Sequence, residues 1–129
     1  MIQEPFLFKG AEQSKGNGAN APDPQKKSQL GQFFTPKGIA RFMAEMFPGS
    51  NRDECRLLDA GAGAGSLSSA FLDRCANGGF NFRHVTIDAF EIDHCLHQDL
   101  GRALNKFTRK LNVEVNIRGA DFIHNCLSR

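Results

Sequence analysis

Nowhere in the 129 residues does an apolar run approach the ~18 residues needed to cross a membrane. Met1 to Phe8 has neither a basic start nor a long apolar centre, so it does not read as a secretory signal. None of the four cysteines, Cys55, Cys75, Cys95 and Cys126, stands in a C-x-x-C pair. Reduced, mostly buried thiols in a cytoplasmic protein are therefore expected, rather than disulfides or a metal centre. The formal charge of +2 is too small to mark a nucleic-acid surface, and no basic, aromatic-rich patch compensates for it. Large apolar side chains are scarce from residue 9 to residue 30, where glycine, asparagine, proline and lysine dominate. Such a segment cannot bury enough surface to offset its ordering entropy, and residues 1–29 are read as a flexible leader. Lys26 and Lys27 are read there as a solvated pair.

What remains is organised around Arg56-Leu57-Leu58-Asp59-Ala60-Gly61-Ala62-Gly63-Ala64-Gly65-Ser66-Leu67. A short apolar run meets an acid and three alternating glycines, and an amphipathic pattern follows. Glycines there allow a sharp turn and close ligand approach, and the helix behind them presents unpaired N–H groups. This is the strand, glycine loop and helix that open a nucleotide-type α/β fold.

Taken in order, Gly31-Gln32-Phe33-Phe34-Thr35-Pro36 leads into a helix, with Thr35 as its cap and Pro36 in its first turn. Ile39, Phe42, Met43, Met46 and Phe47 recur at helical spacing and are expected to form its packing face. Strand one covers about 56–59. The next helix covers about 66–75 and is expected to bury Leu67, Ala70 and Phe71. Val85 to Phe90 forms strand two, ending at Glu91. The longest helix is expected from His94 to Leu111, with Asp93 as its cap. Val113, Val115 and Ile117 alternate with polar residues in strand three, and Asp121-Phe122 lies just beyond. Right-handed crossovers make the three strands parallel neighbours with Asp59, Glu91 and Asp121 all at their carboxyl ends, the place where such sheets bind ligands.

The glycine pattern departs from a dinucleotide fingerprint, because Ser66 takes the third glycine's place and Asp59 precedes the loop. An acid there repels a pyrophosphate but suits a cation. S-adenosylmethionine carries an ammonium and a sulfonium and no phosphate. Glu91 is placed to accept from both ribose hydroxyls, and Asp121 from an adenine amino group with Phe122 against the ring. His94 and His97 beside Cys95 have no further ligands at metal spacing and are read as surface helix residues. Ser66, Ser68 and Ser69 lie in no nucleophile motif.

The chain resembles the N-terminal part of the N6-adenine DNA methyltransferases of restriction-modification systems. Gly31 to Pro36 is similar to their motif X, Asp59 to Gly65 to motif I, Phe90-Glu91-Ile92-Asp93 to motif II, and Gly119-Ala120-Asp121-Phe122 to motif III. The resemblance covers about 30–123, in the family's order. It implies a partial Rossmann-like class I methyltransferase fold (α/β, three parallel strands with flanking helices, an incomplete sheet) over 30–129. It implies S-adenosylmethionine as cofactor. Phe34, Thr35 and Pro36 would close over its methionine end, which Asp59, Gly61, Gly63 and Gly65 hold. Glu91 would take the ribose, and Asp121 and Phe122 the adenine. DNA is the implied substrate, reached through C-terminal regions or a partner chain, with a complementing methyltransferase half or a restriction subunit as further partners and no membrane.

The family's Asn-Pro-Pro-Tyr or Asn-Pro-Pro-Phe tetrapeptide does not occur in the sequence, so no catalytic residue is assigned. A fragment inactive alone is expected. Its strand one would have an open edge, favouring association or dependence on a partner. The alternatives are an NAD-type dinucleotide-binding domain and a non-catalytic cofactor- or partner-binding module.

Overall fold

The computed structural model describes residues 34–128, all within the compact unit Gln32–Arg129. The leader and Gly31 to Phe33 lie outside the described residues. Among the described residues four α-helices and three strands follow one another: α1 (Lys37–Glu45), β1 (Glu54–Asp59), α2 (Ser66–Ala76), β2 (His84–Phe90), α3 (His97–Asn105), β3 (Val113–Arg118) and α4 (Phe122–Leu127). A 3-10 turn, His94–Leu96, leads into α3. The strands form one parallel sheet in the order β1-β2-β3. Asp59 pairs with Ala89 and Phe90 with Arg118, so the carboxyl ends of all three strands fall together. The expected α/β architecture of three parallel strands with flanking helices is the one observed.

The core lies on one face of the sheet. Val85, Ile87 and Ala89 of β2 meet Phe71 and Leu72 of α2 and Leu100 and Leu104 of α3, all buried. Phe71, Phe80 and Phe82 stack beside them at centroid distances of 5.2 to 6.5 Å. The opposite face is polar. There Asp88 of β2 accepts from Arg56 of β1 and from Asn116 and Arg118 of β3, at 3.4–3.5 Å. Alternation from Val85 to Ala89 thus assigns one face of β2 to packing and the other to polar side chains, while Phe90 at its end is buried.

Several local expectations need correction. On α2 the buried positions are Ser68, Phe71, Leu72 and Cys75, whereas Leu67 and Ala70 are only half-buried. The stripe is rotated by one residue because α2 must meet β2 and α3 together. The helix expected over 94–111 is a 3-10 turn followed by the nine residues of α3, so α2, with eleven, is longer. After Asn105 the chain tightens into i→i−3 bonds (Phe107 to Leu104, Thr108 to Asn105), and the Thr108 hydroxyl also donates to the Asn105 carbonyl. A side chain competing for a helical carbonyl ends the helix early. The thiols divide evenly, with Cys75 buried, Cys55 half-buried, and Cys95 and Cys126 exposed.

The largest correction concerns α1. Most of its expected packing stripe faces outward, with Ile39 54% exposed, Phe42 62% and Met46 68%, while Phe47 meets Phe71 of α2 edge-to-face at 5.4 Å. Ala40 and Ala44 make the contact with α2 instead, and small side chains there let the two helices approach closely. Arg74 of α2 donates to the carbonyls of Ala44 and Phe47 at 2.6 and 2.7 Å and so caps the C-terminal end of α1, where the helix dipole favours a cation. Pro36, with ψ of 145°, is the N-cap, and no side chain caps that end, so Thr35 does not act as expected. Thr35 precedes the extended Pro36 rather than the first helical residue, one position too early to reach the free amides.

Among the described residues, β1 pairs only with β2, leaving its other edge open. Beside that edge lies an apolar cavity of about 380 Å³ lined by Met43, Met46, Phe47, Leu57, Leu58 and Asp59, among others. An open strand edge beside apolar surface favours association. The isolated 129-residue chain should therefore self-associate at micromolar concentration in sedimentation velocity. Leu58→Lys combined with Met46→Glu should shift it towards monomer, and an unchanged distribution would show that this edge is not responsible.

Burial pushes the thiols of Cys55 and Cys75 up, that of Cys75 to about 11 with the neighbouring Cys55 adding to the effect. Both stay protonated and unreactive near neutral pH, because the thiolate is the nucleophile. Iodoacetamide at pH 7.5 should label Cys95 and Cys126 first, and Cys75 only on unfolding, as peptide mapping would read.

Candidate cofactor site

The site is built where the glycine loop returns to the end of β2. After Asp59 the backbone turns so that Ala62 N–H donates to the Phe90 carbonyl at 2.9 Å, and Gly63 N–H donates to Glu91 Oε2 at 2.7 Å. Two loop amides one residue apart are thereby tied to the end of the neighbouring strand. Gly65 follows as the N-cap of α2 with φ of +84°, a left-handed conformation that glycine adopts without a Cβ penalty. A Cβ at Gly65 would also stand 2.9 Å from Leu100 Cδ1, so the residue is needed for packing against α3 as well.

Glu91 is only 6% exposed, and every polar group it has is engaged. Oε2 accepts from Gly63 N–H and Oε1 from Asp93 N–H, each at 2.7 Å. Its own N–H donates to the Arg118 carbonyl at 3.0 Å, and its carbonyl accepts from His97 Nε2 at 2.7 Å. The loop, the ends of β2 and β3, and the first turn of α3 therefore meet at one residue. Bonds from N–H groups to an ionised carboxylate are short and strong, which makes its burial affordable.

Asp59, half-buried at the end of β1, accepts from the Ser68 hydroxyl at 2.5 Å. Ser68 itself is 1% exposed. Phe34 lies over the loop, its ring 3.7 Å from where a Gly63 Cβ would be. Thr35 is half-buried and Pro36 exposed beside it. Gly61 is exposed, with open space around it. Asp121 is the N-cap of α4, its Oδ1 accepting from His124 N–H at 2.9 Å. Phe122 meets Phe90 edge-to-face at 5.2 Å. The structure thus brings Phe34, Gly63 and Glu91 together. Asp59 ends the adjacent strand, while Asp121 and Phe122 stand past β3 with the acid engaged by its own helix.

Residues 20–125 match the N-6 DNA Methylase family. The chain belongs to that family. It is 40% identical over 99 residues to the type II methyltransferase M.BsuBI of Bacillus subtilis, an alignment covering 77% of this chain and 19% of that protein. It is 33% identical over 106 residues to the type II methyltransferase M.PstI of Providencia stuartii, covering 78% of this chain and 20% of that protein. The chain therefore spans about a fifth of the length of these relatives.

Two residues that touch the acids, Ser68 and His97, carry no motif in the sequence. Ser68 belongs to the stripe Ser68, Phe71, Leu72, Cys75, and His97 to the stripe His97, Leu100, Leu104. In each case a polar residue sits in line with apolar ones at helical spacing. That is a legible sign of a side chain held inside for its hydrogen bond. His97 is half-buried against the Glu91 carbonyl, so only the exposed His94 is a surface residue in the expected sense. Asp93 acts as the expected cap, accepting from Cys95 N–H at 3.0 Å. Among the described residues no cluster of histidine, cysteine and acidic side chains could hold a metal ion.

Gly65→Ala should destabilise the chain by about 1–3 kcal/mol, through left-handed strain and the collision with Leu100. Urea unfolding monitored by circular dichroism would measure it, and a loss below ~0.5 kcal/mol would contradict this account of the loop.

Proposed function

We propose that this chain is the S-adenosylmethionine-binding part, spanning 30–129, of a site-specific DNA adenine-N6 methyltransferase of a restriction-modification system. The observation that carries the reading is the buried Glu91 carboxylate at the end of β2, tied to the glycine loop of the adjoining strand. Two amide bonds use two of the roughly four acceptor positions of a carboxylate, so capacity remains for a ribose diol. Asp59, fixed by Ser68, puts negative charge beside the loop, which suits an ammonium and opposes a pyrophosphate. The residues present therefore fit the sulfonium cofactor. Gly61, Gly63 and Gly65 form the loop, Phe34, Thr35 and Pro36 cover the methionine end, and Asp121 and Phe122 serve the adenine.

When bound, the cofactor supplies an activated methyl group. This chain's residues would bind and orient it: Asp59 would hold the methionine end and Glu91 the sugar. The acceptor is the N6 amine of an adenine turned out of the DNA stack. The tetrapeptide that would hold this amine in line is absent from the sequence, so the chain alone binds cofactor and does not methylate. DNA contact and catalysis would come from other regions or from a complementing chain.

Titration calorimetry on the 129-residue chain tests this. S-adenosylmethionine should bind, and Asp59→Ala and Glu91→Gln should each weaken it by about tenfold to a hundredfold, the range of a bond to a charged group. Preferential binding of NADH, or methylation of DNA by the chain alone, would reject the proposal.

A further inference from the structure

We infer that His97 is a positioning residue for Glu91: its imidazole sets the strand end from which that carboxylate reaches the glycine loop and, on the reading above, the ribose. The contact is the 2.7 Å approach of His97 Nε2 to the Glu91 carbonyl. A carbonyl oxygen only accepts, so Nε2 carries the proton and the ring donates. This bond links the first residue of α3 to the peptide that follows β2. Without it, Glu91 keeps only its bond to Arg118 and the bonds of its own carboxylate.

The packing around the ring has the marks of a built arrangement. His94, one turn earlier, meets His97 edge-to-face with centroids 4.7 Å apart. Both rings lie against Gly119, where a Cβ would stand 2.5 Å from His94 Cε1 and 3.0 Å from His97 Cε1. Gly119 directly follows β3, so the two rings occupy the space that a side chain at the end of β3 would otherwise fill. His97 is thus fixed on one side by ring packing and on the other by a carbonyl. The carbonyl belongs to the residue whose carboxylate holds Gly63 and Asp93.

The test compares His97→Gln, whose side-chain amide can donate from nearly the same place, with His97→Met, which fills the space and cannot donate. His97→Ala is a third variant, and the Gln and Met pair decides the matter if Ala does not fold. Amide exchange by NMR reads the Gly63 and Asp93 N–H groups directly. Both should exchange about tenfold or more faster in the Met variant than in the Gln variant, while Val85 and Ile87 stay within about twofold. Equal exchange at Gly63 and Asp93 in the two variants would overturn the assignment.

Binding of S-adenosylhomocysteine and of its 2′,3′-dideoxyribose counterpart supplies the second arm. His97→Met should weaken the first by about fivefold or more beyond any loss for the second, since Glu91 acts on the diol as well as on the loop. Equal weakening of both would make His97 a merely structural residue and overturn the inference. If the unaltered chain binds both ligands equally or neither, the ribose role of Glu91 fails. The exchange measurement then still decides whether His97 positions that residue.

Discussion

A carboxylate taken out of water must be surrounded by donors, and in this chain that requirement falls on Glu91. Its two oxygens draw in the amides of Gly63 and Asp93, which come from a loop after β1 and from the turn before α3. The path of the glycine loop, the entry into α3 and the alignment of the strand ends are thereby fixed by one charge. Remove the charge and the loop loses a bond that no neighbouring strand can supply. Asp59 and Ser68 repeat the device on a smaller scale, joining the end of β1 to the first turn of α2.

Much of the fold was legible in the sequence because it rests on signals that act locally. Strand two and strand three announced themselves by a run and an alternation, and both are found within one residue of their expected limits. The three acids fell at strand ends because chain order and parallel pairing leave them nowhere else. Helix faces were harder. On α1 the apolar stripe pointed to Ile39, Phe42 and Met46, but the contact is made by Ala40 and Ala44, whose small size permits close approach. Hydrophobicity ranks side chains and says nothing of which distance between helices the rest of the chain imposes. The early end of α3 depended on a threonine hydroxyl competing for a carbonyl, which no periodicity reports.

The site was legible in its acids and glycines and obscure in what supports them. Ser68 and His97 carry no motif, and each is recognised only by lying in register with leucines and phenylalanines. Their roles are fixed by partners nine and six positions away in the chain. Asp121 shows the reverse case. Its motif is clear, yet its carboxylate is engaged by the helix it starts, so a ligand there would have to share it.

The attachment of α1 has a further consequence. Two alanines, one phenylalanine edge and the Arg74 guanidinium hold it to α2. Phe34, which shields the loop at Gly63, stands at the head of that same helix. Lifting α1 as a whole would therefore carry Phe34 away from the loop and uncover Gly63 as well. The tolerance of the Arg74 clamp to denaturant or to salt would set how often the glycine loop meets solvent.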